Sequence, residues 1–329
     1  MLTLDSDTTR ALLPFDTLIP ALREAFIRGC EVPQRHSHAI GAPGQAAGTG
    51  TGTVLLMPAW QAGAYLGVKT VTIFPGNTQA GLPGLYSTYL LHDARTGRPL
   101  AMIDGNEITS RRTAAASALA ASYLSRPQAS SMLVIGAGRV ASLLPYAYRA
   151  VRPVARVAVW DIDARQAAAL AARLCADGFD ARVAASVQEG CAGADIVSSA
   201  TLATAPLVRR AFLGPGTHLD LIGGFTPEMR EADDACFGGT SVFVDTGEAI
   251  LKAGDLLHPI GQGVLRAADI RATLAELCRQ AHAGRAGESE ITVFKAVGTA
   301  LEDLAAAVMA YEGFEDPRGT APRAISLAK

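Results

Sequence analysis

The residues of this 329-residue chain that are best suited to chemistry are a glycine-rich stretch and a few isolated cations. The stretch Gly136–Ala141 (GAGRVA) follows an apolar run at 132–135 and opens a helix-like segment. This is the spacing of the dinucleotide fingerprint, with Ala in the third small position. Gly136 allows the tight turn, Gly138 lets backbone approach a pyrophosphate, and Ala141 permits close packing of helix on strand. We expect the pyrophosphate at the N-terminus of the helix, where free N–H groups favour negative charge.

An acidic residue follows the second strand-like run of this region. Asp161 directly follows the run Arg156–Trp160 and lies 23 residues beyond Gly138. This is close to the roughly 20 residues expected for the acid that accepts a hydrogen bond from the adenine-ribose 2′-hydroxyl. A carboxylate there repels a 2′-phosphate, so NAD(H) is favoured over NADP(H). Arg165 keeps NADP(H) as an alternative, because its guanidinium could pair with that phosphate. The other interpretation of Asp161 and Asp163 is a solvated turn that caps a helix.

Lys69 interrupts an otherwise apolar strand predicted at 64–74. A buried ammonium is costly unless it is paired. The alternative is a lysine on an edge strand whose head reaches water. Arg35, which follows a proline at the start of another predicted strand, reads by itself as a surface residue.

Arg111 and Arg112 lie near the start of an alanine-rich helix predicted at 108–124, with Thr109 as its cap. The first turn of a helix favours acids over bases, because it is the positive end of the dipole. The pair therefore indicates either an anion bound at this helix end or a chance pair on the surface.

Composition excludes several classes of protein. With 49% hydrophobic and 18% charged residues the chain is globular, and a net charge of −2 gives no general attraction to nucleic acid or to an anionic membrane. We expect no membrane span and no secretory signal. Five scattered cysteines indicate reduced thiols in the cytoplasm. His36 and His38 lie together without a further ligand type, so no metal site is expected.

Strands and helices alternate through the middle of the chain. This pattern predicts an α/β fold with a Rossmann-type, doubly wound parallel sheet. Its ligand should lie at the carboxyl edge, near Gly136, Thr201 and Gly223. The predicted strands are 131–135, 156–160, 180–184, 194–201, 218–222 and 241–245, and the predicted helix between them is 164–176.

The N-terminal third lacks this alternation of strands and helices. An amphipathic helix is predicted at 15–29, and the composition of Gly41–Gly52 predicts a mobile loop. Strands are predicted at 54–60, 64–74, 85–92 and 99–103, and an apolar helix at 300–311 precedes a polar tail.

Taken together, the motifs resemble the ornithine cyclodeaminase/mu-crystallin family from end to end. The resembling pieces are Met57–Ala59, Gly67–Lys69, Pro75–Asn77, Ile108–Ala115, Gly136–Gly138, Ala194–Val197 with Thr201, Gly223–Gly224 with Pro227 and Glu231, and Thr292–Lys295 with Val297–Gly298. The resemblance implies an α+β substrate and dimerisation domain, 1–125 plus 301–329. It implies an NAD(P)-binding Rossmann domain, 126–300, inserted into it, and a homodimer.

The resemblance also assigns roles. Arg112 matches the family arginine that holds the substrate carboxylate, Lys69 the strand lysine near the reacting carbon, and Arg35 a second carboxylate contact. A guanidinium suits a carboxylate because it can bind both oxygens. The expected cofactor contacts are Thr113, Gly136, Ala137, Gly138, Arg139, Val140, Asp161, Thr201, Gly223 and Val297.

One departure from the family bears on the reaction. Cyclodeaminases and related alanine dehydrogenases have an acid directly after the Gly-Gly or Gly-Ala pair, whereas this chain has Phe225. A phenyl ring cannot transfer the protons that cyclodeamination requires. The surrounding sequence, 224–231, looks more like members that reduce the cyclic ketimines Δ1-pyrroline-2-carboxylate and Δ1-piperideine-2-carboxylate to proline and pipecolate.

The interpretation is therefore an NAD(P)H-dependent reductase of a cyclic imino acid. Arg112, with Arg35, would hold the carboxylate, and Lys69 would protonate the imine nitrogen, with Thr226 as a weaker candidate acting through water. Three alternatives stay open. They are ornithine cyclodeamination, a dehydrogenase of linear or N-alkyl amino acids, and a mu-crystallin-like protein that binds a cofactor and a small ligand.

Overall fold

The computed structural model describes residues 1–41 and 52–315. The chain divides into two compact units, Met1–Arg112 with Thr299–Lys329 and Thr113–Gly298. The first limit lies inside a continuous helix rather than after it at 125/126. Most of the predicted mobile loop at 41–52 and the tail from 316 onward lie outside the described residues.

The strands and helices are as follows in chain order. The strands are β1 (Leu2–Leu4), β2 (His36–Ile40), β3 (Gly52–Trp60), β4 (Tyr65–Ile73), β5 (Leu85–Asp93), β6 (Pro99–Asp104), β7 (Ser131–Ile135), β8 (Arg156–Trp160), β9 (Asp180–Val183), β10 (Ile196–Ser199), β11 (His218–Leu221), β12 (Ser241–Val244), β13 (Ala272–Thr273) and β14 (Thr292–Lys295). The helices are α1 (Ser6–Leu12), α2 (Phe15–Arg28), α3 (Gly105–Leu124), α4 (Leu144–Arg149), α5 (Ala164–Ala176), α6 (Val187–Cys191), α7 (Ala249–Lys252), α8 (Gly254–Gly261), α9 (Leu274–Cys278) and α10 (Ala300–Glu315).

The first unit contains a six-stranded mixed sheet in the order β1-β6-β5-β4-β3-β2. Strands β2 to β6 pair antiparallel with their neighbours, and β1 joins β6 in parallel. Helix α10 packs against β3, β4 and β5, and α2 packs against α10. The four predicted strands and the helix at 15–29 are confirmed, whereas β1 and α1 were not foreseen.

The pairing register places one row of side chains across the face of the sheet that α10 covers. Met57 pairs with Lys69, Lys69 with Tyr89, and Tyr89 with Ile103. All four are buried. Because side chains alternate between faces along a strand, Lys69 points to the same side as its buried apolar neighbours.

The second unit contains an eight-stranded sheet in the order β13-β12-β14-β11-β10-β7-β8-β9, and every pair in it is parallel. Short apolar strands suit such a sheet because both of its faces are covered. The predicted α/β fold with a parallel Rossmann-type sheet is confirmed. The chain order reverses between β7 and β10, since β8 and β9 lie on one side of β7 and β10 and β11 on the other. That reversal is where sheets of this kind bind ligands.

Candidate functional site

Lys69 lies in the middle of the first sheet, not at its edge. Strand β4 has neighbours on both sides, and the lysine is only 2% exposed. The interpretation as an edge lysine whose head reaches water is therefore wrong. Its Nζ forms an ion pair with Asp303 Oδ2 at 2.6 Å, which supplies the partner that a buried ammonium needs.

Arg112 is also buried and paired inside the first unit. Its Nε donates to Asp303 Oδ1 at 2.8 Å and its Nη1 to Glu302 Oε2 at 2.6 Å. Within residues 1–41 and 52–315, Nη2 makes no such hydrogen bond. One edge of the guanidinium is thus held by the chain's own carboxylates, and Nη2 keeps its capacity to donate.

The predicted start of the helix that carries Arg112 is wrong. Helix α3 begins at Gly105, and Asp104 accepts a hydrogen bond from the N–H of Glu107 at 2.8 Å, as a cap does. Thr109 is therefore not the cap, and neither arginine lies in the first turn, where Glu107 sits as the dipole requires. The idea of an anion at the helix end fails, because the anions that pair with Arg112 come from α10.

Arg111 has a structural role. Its Nε donates to the carbonyl oxygen of Leu13 at 2.6 Å, and its guanidinium lies 4.4 Å from the centre of the Phe15 ring. The two adjacent arginines therefore have different roles. Their positions in the sequence did not indicate which of them joins the buried cluster.

Glu302 and Asp303 are the site residues that the sequence interpretation missed. Both lie in the first turn of α10 and are buried. The available signal was two adjacent acids directly before the apolar stretch 304–310, in a chain that also carries a lysine within an apolar strand. Buried charges of opposite sign are expected to pair.

Burial and charge shift the ionisation of this cluster. Burial and the nearby Arg112 lower the pKa of Lys69 to about 8, although Asp303 and Glu302 oppose the shift. Burial opposes ionisation of Asp303, but Lys69 and Arg112 outweigh it and lower its pKa. Burial likewise opposes the charge on Arg112, yet the two carboxylates raise its pKa. The cluster therefore contains a lysine poised to give up a proton near neutral pH.

Arg35 directly precedes β2 and is half-buried. The pairing of His36 with Leu56 ends one residue short of it. If that register continued, Arg35 would lie beside Met57, whose other neighbour is Lys69.

In the second unit, the predicted glycine loop follows β7. Gly136 has a φ of 103°, and a Cβ there would lie 2.8 Å from the carbonyl oxygen of Ala200, which follows the neighbouring strand β10. A Cβ on Gly138 would meet only open space, so this position leaves room for a group outside the loop. Gly138 and Arg139 are exposed, and Ala137 and Val140 are half-buried. These features fit a dinucleotide pyrophosphate.

Asp161 is held against this loop. Its Oδ2 accepts a hydrogen bond from the N–H of Ala137 at 2.8 Å, and its Oδ1 accepts one from the N–H of Asp163 at 2.8 Å. Asp163 caps α5 and pairs with Arg165 at 2.9 Å. The capping interpretation thus holds for Asp163, while Asp161 stands where the ribose carboxylate is expected.

Glu231 connects two further predicted cofactor positions, Thr201 and Gly223. Its Oε1 accepts hydrogen bonds from the N–H and hydroxyl of Thr201, and its Oε2 accepts from the N–H of Gly223 at 2.6 Å. A Cβ on Gly223 would lie 1.9 Å from the carbonyl oxygen of Thr201. The loops that follow β10 and β11 are therefore fastened together beside the reversal point of the sheet.

A second carboxylate fixes the loop after β14. Asp245 Oδ2 accepts hydrogen bonds from the N–H groups of Val297 and Gly298, at 2.7 and 2.6 Å. Next to it, buried Lys295 forms an ion pair with Asp255 at 3.1 Å. Val297 thus belongs to the same carboxyl edge of the sheet as Gly136 and Thr201.

Thr226 and Phe225 lie in the loop after β11. Phe225 is 42% exposed, and the backbone oxygen of Thr226 accepts from the N–H of Gly254 at 3.0 Å. Thr113, the remaining predicted contact, lies on α3 directly after Arg112 and is half-buried.

Residues 1–41 and 52–315 contain no group of three or more His, Cys, Asp or Glu side chains arranged to hold a metal ion. No helix among them is both long enough and apolar enough to cross a membrane.

Relatives of known sequence cover nearly the whole chain. The chain is 44% identical over 318 residues to an uncharacterized protein of Schizosaccharomyces pombe, spanning 94% of this chain and 96% of the relative. It is 41% identical over 285 residues to the Delta(1)-pyrroline-2-carboxylate reductase of Paracoccus denitrificans, spanning 85% and 88%.

Solved structures with the same architecture include three with a bound nicotinamide cofactor. Thermococcus litoralis Delta(1)-pyrroline-2-carboxylate reductase, in complex with NADH and L-proline, has a TM-score of 0.88 and 32% identity, over 98% of this chain and 100% of that one. An archaeal alanine dehydrogenase dimer with bound NAD has a TM-score of 0.87 and 28% identity, over 96% and 97%. The iminosuccinate reductase of Paracoccus denitrificans with NAD+ has a TM-score of 0.84 and 26% identity, over 96% and 97%.

The family resemblance expected from the spaced motifs is confirmed by a family model that matches residues 11–317. This chain belongs to the ornithine cyclodeaminase/mu-crystallin family.

Proposed function

We propose that this chain reduces the C=N bond of a small cyclic imino acid with NADH. Δ1-Pyrroline-2-carboxylate, giving proline, is the first candidate substrate, and Δ1-piperideine-2-carboxylate, giving pipecolate, is the second. The named reductase relatives and the reductase structure with NADH support the class, an NAD-dependent oxidoreductase that acts on C=N. The observation that carries the proposal is the buried cluster in which Asp303 joins Lys69 to Arg112.

Arg112 is the proposed anchor of the substrate carboxylate. Glu302 and Asp303 fix the plane of its guanidinium through Nη1 and Nε, and Nη2 is left to donate to a ligand. A charge-assisted hydrogen bond of this kind is strong, particularly at a buried site. Arg35 is the proposed second contact.

Lys69 is the proposed acid. Reduction of an imine needs a proton on nitrogen as well as a hydride on carbon, and the Lys69 ammonium, whose pKa is lowered to about 8, is suited to give that proton. The C=N bond becomes CH–NH, and Lys69 then recovers a proton from water. Thr226, acting through water, is the weaker candidate.

The cofactor positions fit NAD(H). When bound, the nicotinamide supplies the hydride that reduces the imine carbon. Asp161 favours NADH because its carboxylate would repel a 2′-phosphate. Arg165, the residue that could favour NADPH, is paired with Asp163. Thr113, Gly136–Val140, Thr201, Gly223 and Val297 are the remaining proposed contacts.

We also propose that the chain works as a homodimer. The face of the first sheet opposite α10 carries apolar side chains, with Met102 and Tyr86 exposed and Val68, Leu90 and Leu56 only half-buried. A contiguous apolar surface is a common feature of protein interaction sites. A second copy is the proposed occupant, since the alanine dehydrogenase neighbour is a dimer. Within residues 1–41 and 52–315 no disulfide joins any of the five cysteines, which supports the proposal of a reducing compartment, the cytoplasm.

The test is to follow NADH and NADPH oxidation with each cyclic imino acid. Three other reactions serve for comparison. They are the reduction of iminosuccinate, the reduction of a 2-oxo acid in the presence of a free amine, and the conversion of L-ornithine with NAD. We expect fastest turnover with a cyclic imino acid and NADH, and no ammonia from ornithine, because Phe225 supplies no carboxylate. Ammonia released from ornithine would establish the cyclodeaminase instead. Tight NADH binding without turnover of any substrate would establish a binding protein.

A further inference from the structure

Asp303 is shared by two cations. Its Oδ2 lies 2.6 Å from Lys69 Nζ, and its Oδ1 accepts the Nε–H of Arg112 at 2.8 Å. The residue is fully buried in the first turn of α10. A single carboxylate therefore determines how far apart the two cations of the cluster lie.

The need for such a carboxylate follows from the charges around Lys69. The groups that face it are Asp303 and Glu302 from α10, Arg112 from α3 and the hydroxyl-bearing Tyr89 from β5. Glu302 is bonded to Arg112 through Nη1. Without Asp303, Lys69 would be a buried ammonium beside a guanidinium, and both burial and repulsion would favour loss of its proton.

Tyr89 is the partner of Lys69 across the sheet, and the Tyr89 hydroxyl fills the space next to Gly67, where a Cβ would lie 2.0 Å from that oxygen. An ammonium has three N–H groups. With Asp303 on one side, the remaining N–H groups can be directed to a substrate.

We infer that Asp303 is a positioning residue for imine reduction: it fixes Lys69 Nζ relative to Arg112 and keeps the ammonium protonated until the imine nitrogen accepts the proton. The reductive part of this inference rests on the proposed function. The part that concerns the Lys69 proton does not, since it describes the chain without substrate.

The composition of the chain makes a direct test practical. It has only four lysines, Lys69, Lys252, Lys295 and Lys329, so NMR of protein labelled with 13C at the lysine ε-carbon gives four signals. Loss of one signal in Lys69→Arg assigns Lys69. Its titration is then followed in the wild type, in Asp303→Asn and in Glu312→Gln. Glu312 lies on the same helix but is exposed and bonds to Tyr65.

We expect Asp303→Asn to lower the pKa of Lys69 by about 1 to 3 units, the usual effect of losing an opposite charge at this distance. Glu312→Gln should leave it unchanged. The alkaline limb of kcat/KM for the imino acid should move by the same amount. An unshifted Lys69 signal in Asp303→Asn would overturn the inference whatever the substrate is.

A shifted signal without imine reduction by the wild type would support the charge role of Asp303 while refuting the proposed function. If Asp303→Asn does not fold, Asp303→Glu keeps the charge and lengthens the side chain. It should lower kcat at least about tenfold while the Lys69 signal stays near its wild-type midpoint, because misplacement of a reacting group by a bond length is costly. Wild-type kcat in Asp303→Glu would overturn the positioning role.

Discussion

The carboxylate of Asp161 accepts a hydrogen bond from the backbone N–H of Ala137, the residue between the two glycines of the loop after β7. The acid at the end of β8 is therefore fixed to the loop that is expected to bind the pyrophosphate. Because its other oxygen is held by the N–H of Asp163, the carboxylate is oriented before any cofactor arrives.

Replacing Asp161 should change the choice of cofactor. Asp161→Asn removes the charge that repels a 2′-phosphate and weakens the acceptor for the ribose hydroxyl. A hydrogen bond to a charged group contributes about 1.5–3 kcal/mol. We expect the ratio of kcat/KM for NADH to that for NADPH to fall by roughly tenfold or more. The matched control is Asp180→Asn, at the start of β9, which should leave the ratio unchanged. A ratio unaltered by Asp161→Asn would contradict the ribose role.

Lys69→Met should lower kcat by about 10²- to 10⁴-fold, the usual contribution of a general acid, while the Kd for NADH stays the same. In the wild type, kcat/KM should fall as the pH rises through about 8, because the ammonium, with its lowered pKa, loses its proton there. Lys69→Arg should lack this fall, since a guanidinium stays charged. Lys252→Met, which removes a lysine paired with Glu248, is the control. A parallel loss of NADH binding in Lys69→Met would argue against the role.

Much of this architecture could be predicted because local patterns carry it. The run at 132–135 is uniformly apolar and is followed by Gly136 and Gly138, so both the parallel strand and its loop could be predicted. The amphipathic helix α2 ends where predicted, with Gly29 at a φ of 75°. In each case the information lies within a few residues of the feature.

The charge pairing of the site could not be predicted because it depends on distant segments. Asp303 meets Lys69 and Arg112 across gaps of more than 190 residues, and no local pattern records such a contact. The start of α3 was misplaced for a different reason. Thr109 and Asp104 are both plausible caps, and only the position of Glu107 in the first turn separates them.

If the outer face of the first sheet is the dimer interface, a charge placed on it should weaken the dimer. Val68→Glu and Met102→Glu place carboxylates on the outer face of the first sheet without touching the row that contains Lys69. Desolvation of an unpaired carboxylate costs several kcal/mol, so we expect the dimer to dissociate at least 100-fold more readily. Light scattering with size-exclusion chromatography measures this. Leu251→Glu, an exposed apolar residue of the second unit, is the control. Dimers of unchanged stability in both variants would show that this face is not the dimer interface.

Arg112→Lys should separate substrate binding from cofactor binding. Lysine keeps the charge but cannot bond to Glu302, Asp303 and a ligand from one rigid plane. We expect KM for the imino acid to rise at least about tenfold and the Kd for NADH to stay the same. The neighbouring Arg111→Lys affects the contacts to Leu13 and Phe15, so it should lower Tm and leave KM alone. Arg112→Ala is less informative, because it would leave two buried carboxylates partly unpaired and cost about 3–5 kcal/mol of stability. A wild-type KM in Arg112→Lys would remove Arg112 from the substrate site.

Asp220 should make the stability of the second unit depend on pH. It is fully buried in β11 and accepts hydrogen bonds from Ser117, Tyr148 and Ser198. Burial raises its pKa from 3.8 to about 6, despite the three hydroxyl donors. Since the folded state holds the proton more tightly, protonated Asp220 stabilises the fold fully below pH 3.8, and this contribution is lost as the pH rises through about 6.

Asp220→Asn keeps a neutral group at this position and should abolish the Asp220 contribution to the pH dependence. The Tm of the variant relative to wild type should therefore rise from pH 4 to about pH 7 and then level off, corresponding to about 2–3 kcal/mol. Asp177→Asn, at an exposed acid that bonds to Tyr146, should follow the wild-type profile throughout. A constant difference in Tm between Asp220→Asn and wild type across this range would show that Asp220 titrates normally. In that case the three hydroxyl groups, rather than burial, would control its charge.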